Sequence, residues 1–80
     1  MSYLSVYQIS AKGTEYEGQE VICFKIASKG YYCPSLKQAF FRIGKGLFSN
    51  KKVLFPEFDA EWEYLQKNPH WRNRIEIVKY

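Results

Sequence analysis

The sequence predicts the α+β class: one domain over 1–80, elements in the order ββαβαβ, and a mostly antiparallel sheet with two helices on one face. Three observations carry this. Eighty residues, 46% hydrophobic and 25% charged, have the composition of a globular domain and the length for a single core. Period-two stretches rich in β-branched and aromatic residues stand near the start and at the end of the chain. Between them, two stretches carry apolar residues at helical spacing, with start and stop signals at their ends.

The first strand is expected over 3–10, with Leu4 and Val6 on one face and Tyr3, Tyr7 and Ile9 on the other, the pattern of a strand buried on both sides. A turn over 12–18 with two glycines leads into a second strand over 21–28, where Ile22, Phe24 and Ile26 alternate with Cys23, Lys25 and Ala27. The two form an antiparallel hairpin. Pro34 is followed by Ser35 and, three residues on, Gln38, which together satisfy a capping box. Leu36, Phe40, Ile43 and Leu47 then recur at helical spacing until Gly44 and Gly46 end the helix. The same residues 39–43 also fit a strand turning at the glycines. A short strand over 51–55 is stopped by Pro56. Asp59 caps a second helix with Phe58, Trp62 and Leu65 on one face, and Asn68-Pro69 terminates it. The last strand runs over 74–80, with Ile75 and Ile77 facing the core. A hairpin, a helix and a late strand resemble the general plan of a β-grasp (ubiquitin-like) architecture, with a split ferredoxin-like sheet as the alternative.

The charge is unevenly distributed. Residues 21–56 hold Lys25, Lys29, Lys37, Arg42, Lys45, Lys51 and Lys52 with no acidic residue among them, while 57–63 hold Glu57, Asp59, Glu61 and Glu63. The net charge is +4 and the aromatic fraction 19%. A basic block interleaved with aromatics points to RNA or single-stranded DNA, with Lys37, Arg42, Lys45, Lys51 and Lys52 on phosphates and Tyr31 and Tyr32 stacking on unpaired bases. The alternative is a protein-binding adaptor or inhibitor, of the kind carried by phages and mobile elements, occupying a host protein's surface. Its interface would draw on Glu57, Glu61, Glu63, Tyr64 and Trp71. The acidic run also has a purely structural use, since Asp59, Glu61 and Glu63 near a helix start complement its dipole. Phe24, Phe40, Phe58 and Trp62 fall at core-facing positions, which leaves Tyr31, Tyr32, Tyr64 and Trp71 as the aromatics from which a surface is drawn.

Little material exists for catalysis. His70 is the one histidine and follows Asn68-Pro69, with no local partner for acid–base work. Cys23 and Cys33 stand ten apart without a second pair, which fits neither a disulfide framework nor a zinc knuckle; both are expected as reduced thiols, Cys23 in the core. Lys29-Gly30-Tyr31 starts like an RNA-recognition signature, but Tyr32, Cys33, Pro34 and Leu36 miss the positions that follow. Gly44-Lys45-Gly46 lacks the further glycines of a phosphate loop. No enzymatic activity, cofactor or metal is expected. The longest apolar run is four residues, at 21–24, and the first residues lack the basic and apolar regions of a secretory leader, so a cytoplasmic location without membrane contact is expected.

Overall fold

The structure is a computed structural model that describes residues 6–71 and the backbone of 77–79. Its elements are β1 (Val6–Ile9), β2 (Val21–Ala27), β3 (Gly30–Cys33), β4 (Gln38–Arg42), β5 (Phe48–Lys52), α1 (Pro56–Gln66) and β6 (Ile77–Lys79). The sheet order is β5-β4-β3-β2-β1-β6, an antiparallel five-strand meander with β6 added parallel to β1. The α+β character holds. The order ββαβαβ does not, because one helix stands where two were expected. Leu4 and the start of the first strand, together with Arg74, Ile75, Tyr80 and the side chain of Ile77, lie outside the described residues.

The helix expected from Ser35 onward is replaced by β4 and the turns on either side of it. Its apolar spacing is coincidental. Leu36 sits in the β3–β4 turn, Phe40 is fully buried on one sheet face, and Ile43 and Leu47 face each other across the β4–β5 turn, where the Ile43 N–H donates to the Leu47 carbonyl at 3.0 Å. The run Tyr31-Tyr32-Cys33 and the pair Phe40-Phe41 favour strand, and all of these side chains except Phe41 are buried in the sheet. The strand turning at the glycines is thus the form adopted. Ser35 caps no helix; its hydroxyl lies 3.2 Å from Cys33 Sγ. Gln38 instead bridges, donating from Nε2 to Tyr16 Oη at 2.7 Å and accepting from Asn50 Nδ2 at 2.6 Å, which satisfies a polar side chain that is 4% exposed.

Alternation along the strands gives two faces. On one, Ile9, Val21, Cys23, Tyr31, Cys33, Phe40 and Phe48 form a buried cluster roofed by the 10–20 loop through Ala11 and Tyr16. The Tyr16 ring meets Phe40 edge-on at 5.9 Å. On the other, Val6 and Phe24 pack under Phe58, Trp62 and Leu65 of α1, with Trp71 closing the end. The meander curls around the first face. In a flat sheet β5 stands about 19 Å from β1, four spacings of about 4.8 Å, whereas the three residues after β1 reach about 10 Å. Yet the Phe48 N–H donates to the Lys12 carbonyl at 2.8 Å.

The helix α1 starts with Pro56, whose missing N–H costs nothing in a first turn, and places Glu57 and Asp59 at the positive end of the dipole. Phe55, not Asp59, is the N-cap. Asp59 is held by β3 instead: the Tyr32 hydroxyl donates to Oδ1 at 2.9 Å, and Lys37 Nζ lies 3.0 Å from Oδ2. Lys37 reaches this position from a left-handed backbone, φ +56°. The helix stops at Gln66 with Asn68-Pro69 just beyond, as the sequence predicts. No helix among the described residues is long and apolar enough to cross a membrane.

Candidate interaction surface

The residues expected to stack on bases are inside the protein. Tyr31 is 1% exposed, its ring edge-on to Tyr7 at 5.1 Å and to Phe48 at 5.9 Å; Tyr32 is 0% exposed, under Phe55 and Phe58 of the opposite face. Neither offers a ring face to a ligand. Burial, with the Asp59 hydrogen bond second, also pushes the Tyr32 phenol above its ordinary value.

The five cations expected on phosphates do not converge. Arg42, half-buried, ends β4, where its N–H donates to the Lys29 carbonyl at 2.8 Å, and Lys45 is exposed in the β4–β5 turn. Lys37 lies at the other end of the hairpin, committed to Asp59. Lys51 and Lys52 are exposed neighbours on β5, so they point to opposite faces. Because β5 is an edge strand, these two lysines also guard an open ladder against unwanted pairing. Of the residues expected at a protein interface, Glu57, Glu63 and Tyr64 are exposed on α1 and Glu61 is half-buried. Glu57, Glu61 and Tyr64 follow one stripe at i, i+4 and i+7, and Glu63 is off it. Trp71 is buried against Trp62, ring centroids 5.5 Å apart, so it is a core residue and not an anchor for a partner.

A different surface emerges on the β4–β5 hairpin. The register sets Phe41 opposite Ser49 and Arg42 opposite Phe48, and one step further sets Ile43 opposite Leu47. Alternation then puts Phe41, Ile43, Leu47, Ser49 and Lys51 on one face, the face that α1 covers over β1 to β3. The helix does not extend over this part. Phe41 is 36%, Ile43 66% and Leu47 40% exposed. Phe41 lies over Gly30, its partner on β3: a Cβ built at Gly30 would come 3.3 Å from the ring and 3.1 Å from Ile26 Cγ1, so a larger residue there requires one of these side chains to give by a few tenths of an ångström. Lys51 continues this face along β5 and Lys45 is exposed in the β4–β5 turn, and among the described residues neither has an ion pair. Read with a period of two, 39–43 already separates Phe41 and Ile43 from Phe40 and Arg42; the helical reading hid that signal by merging them.

The two thiols form a second cluster. Cys23 and Cys33 are free and buried, and each is the strongest influence on the other's thiol. The Cys23 S–H is the foremost influence holding the Cys33 thiol down, to about 6, against the opposing effect of burial; the Ser35 hydroxyl and the N–H groups of Leu36 and Ser35 add to it. Cys23 is pushed far up by the same contact and by burial. No group of metal-ligating side chains occurs among the described residues.

Compared with known proteins, the chain matches no family model, no curated protein and no solved structure.

Proposed function

We propose that the chain is a non-enzymatic protein-binding module that docks a partner on Phe41, Ile43 and Leu47 of the β4–β5 hairpin. One observation carries the choice over a nucleic-acid module: the large side chains left exposed on the hairpin are chiefly aliphatic, while Tyr31 and Tyr32 are buried. Isoleucine and leucine gain by burial against another protein, at about 25 cal/mol per Å² of apolar surface. They have no π-face for a base. Lys45 in the turn and Lys51 farther along β5 favour a partner segment that is apolar at its centre and acidic at its margins, and they speed its encounter. The stripe of Glu57, Glu61 and Tyr64 on α1 lies outside this surface and is left as a solvated helix face.

The test is co-purification from the native host after exhaustive nuclease treatment, using the wild type and the double variant Ile43→Asp/Leu47→Asp. A discrete protein partner that survives nuclease and is lost from the variant supports the docking surface. Partners released by nuclease, with binding that falls steeply as salt rises and is indifferent to the variant, support the nucleic-acid module instead.

A further inference from the structure

Cys23 and Cys33 occupy directly opposed positions on β2 and β3. Phe24 pairs with Tyr32, and one step along the same register pairs Cys23 with Cys33. The hydrogen-bond phase of the sheet decides how close they come. The Arg42 N–H bonds to the Lys29 carbonyl, so the even-numbered residues of β4 turn their backbone groups toward β3, where Tyr31 and Cys33 receive them. Tyr32 must then bond across to Phe24, which leaves Cys23 and Cys33 as a non-hydrogen-bonded pair. In such pairs the Cα atoms approach to about 4.5 Å, inside the range of about 4.4 to 6.8 Å that a disulfide spans. Both side chains point into the same buried cluster.

The pair is also asymmetric. Cys33 is the last residue of β3, and the turn that follows lies against its sulfur: the Ser35 hydroxyl is 3.2 Å away, and the backbone of Ser35 and Leu36 helps to hold the thiol down. With the Ser35 hydroxyl turned to donate, this surrounding suits a thiolate. Cys23 has only a long contact of 3.9 Å to the Val21 carbonyl besides Cys33, and an acceptor of that kind suits the protonated thiol. One sulfur is thus arranged as a nucleophile and the other as its resolving partner. Ser35 is exposed, so opening the β3–β4 turn gives Cys33 a route to solvent without unfolding the sheet.

We propose that Cys23 and Cys33 are a redox pair that closes to a cross-strand disulfide when a small peroxide reaches Cys33. The Cys33 thiolate attacks one peroxide oxygen, the O–O bond breaks, and Cys33 becomes a sulfenic acid while the other oxygen leaves as hydroxide. The Cys23 sulfur then attacks the Cys33 sulfur, the S–O bond breaks, and water departs with the Cys23 proton. The two thiols lose two protons and two electrons together, and the peroxide is reduced to two waters once the hydroxide takes up the proton Cys33 had released. A dithiol reductant reverses the step by exchange.

The test uses the full chain, reduced, then treated with hydrogen peroxide at neutral pH, unfolded under a thiol-blocking maleimide and weighed intact. The expected result is loss of both maleimide adducts, a mass lower by two hydrogens, a linked Cys23–Cys33 peptide on digestion, and recovery of both adducts after dithiothreitol. In Cys23→Ala, a sulfenic-acid probe such as dimedone should label Cys33; in Cys33→Ala, Cys23 should stay unlabelled. Retention of two blockable thiols in the peroxide-treated wild type, disulfides only between molecules, or equal labelling of the two single variants overturns the proposal.

Discussion

At the scale of residues, the chemistry gathers at the β3–β4 turn, where Cys33 and Lys37 tie the sheet to two different neighbours. Because Cys33 is held at about 6, below the ordinary thiol, the folded chain carries one proton fewer than the unfolded chain between that value and about 8.5. This contribution to stability is complete above the ordinary value and is lost as pH falls through about 6. The denaturant midpoint of the reduced wild type should therefore rise relative to Cys33→Ala as pH increases across that window; a constant difference between the two would contradict the hydrogen-bond arrangement around the sulfur. Lys37 and Tyr32 share Asp59, but unequally. The Lys37 ammonium is largely exposed and Lys37→Ala should cost less than about 1 kcal/mol, whereas Tyr32→Phe removes a hydrogen bond to a carboxylate and should cost roughly 1.5 to 3 kcal/mol by urea denaturation. Tyr31 and Tyr32 were indistinguishable from surface residues in the sequence, because adjacent aromatics read as exposed unless both faces of the strand are known to be covered. Here each face has its own roof, the 10–20 loop over Tyr31 and α1 over Tyr32.

At the scale of elements, α1 was legible and β4 was not. The spacing of Phe58, Trp62 and Leu65 and the stop at Asn68-Pro69 agree with one another and locate the helix and its end, whereas its start lies at Pro56, ahead of the Asp59 cap that the sequence suggests. In the segment from Ser35, a capping signature and helical spacing agreed with each other but conflicted with two glycines within three residues and a run of aromatic residues. Tertiary pairing with β3 and β5 decided it. Gly30 is the element-scale test of how the hairpin lies on its neighbour: Gly30→Ala should destabilise by about 1 to 3 kcal/mol, since the added methyl must displace Phe41 or Ile26. Ile43→Asp should change stability by less than about 0.5 kcal/mol, because this side chain is two-thirds exposed, while it removes a central part of the docking surface. Thermal unfolding of the two variants beside the wild type checks both statements; equal losses would mean that Ile43 belongs to the core.

At the scale of the whole molecule, the α+β character was legible in the sequence, but not the curl that brings Lys12 against Phe48, since a contact between 12 and 48 leaves no mark in local periodicity. Nor did it locate the face left bare, which depends on how far α1 extends across the sheet. The basic block likewise spreads on folding: Lys37 turns to Asp59, and Lys51 and Lys52 diverge across an edge strand. Charge summed along a sequence thus says nothing of where folding sets the same charges. The docking surface is tested most directly by backbone hydrogen exchange of the chain alone and in complex with the protein partner captured after nuclease treatment. Slowed exchange concentrated over 41–49, with α1 unchanged, is the predicted result. Protection concentrated over 57–64 with the hairpin unaffected would contradict it.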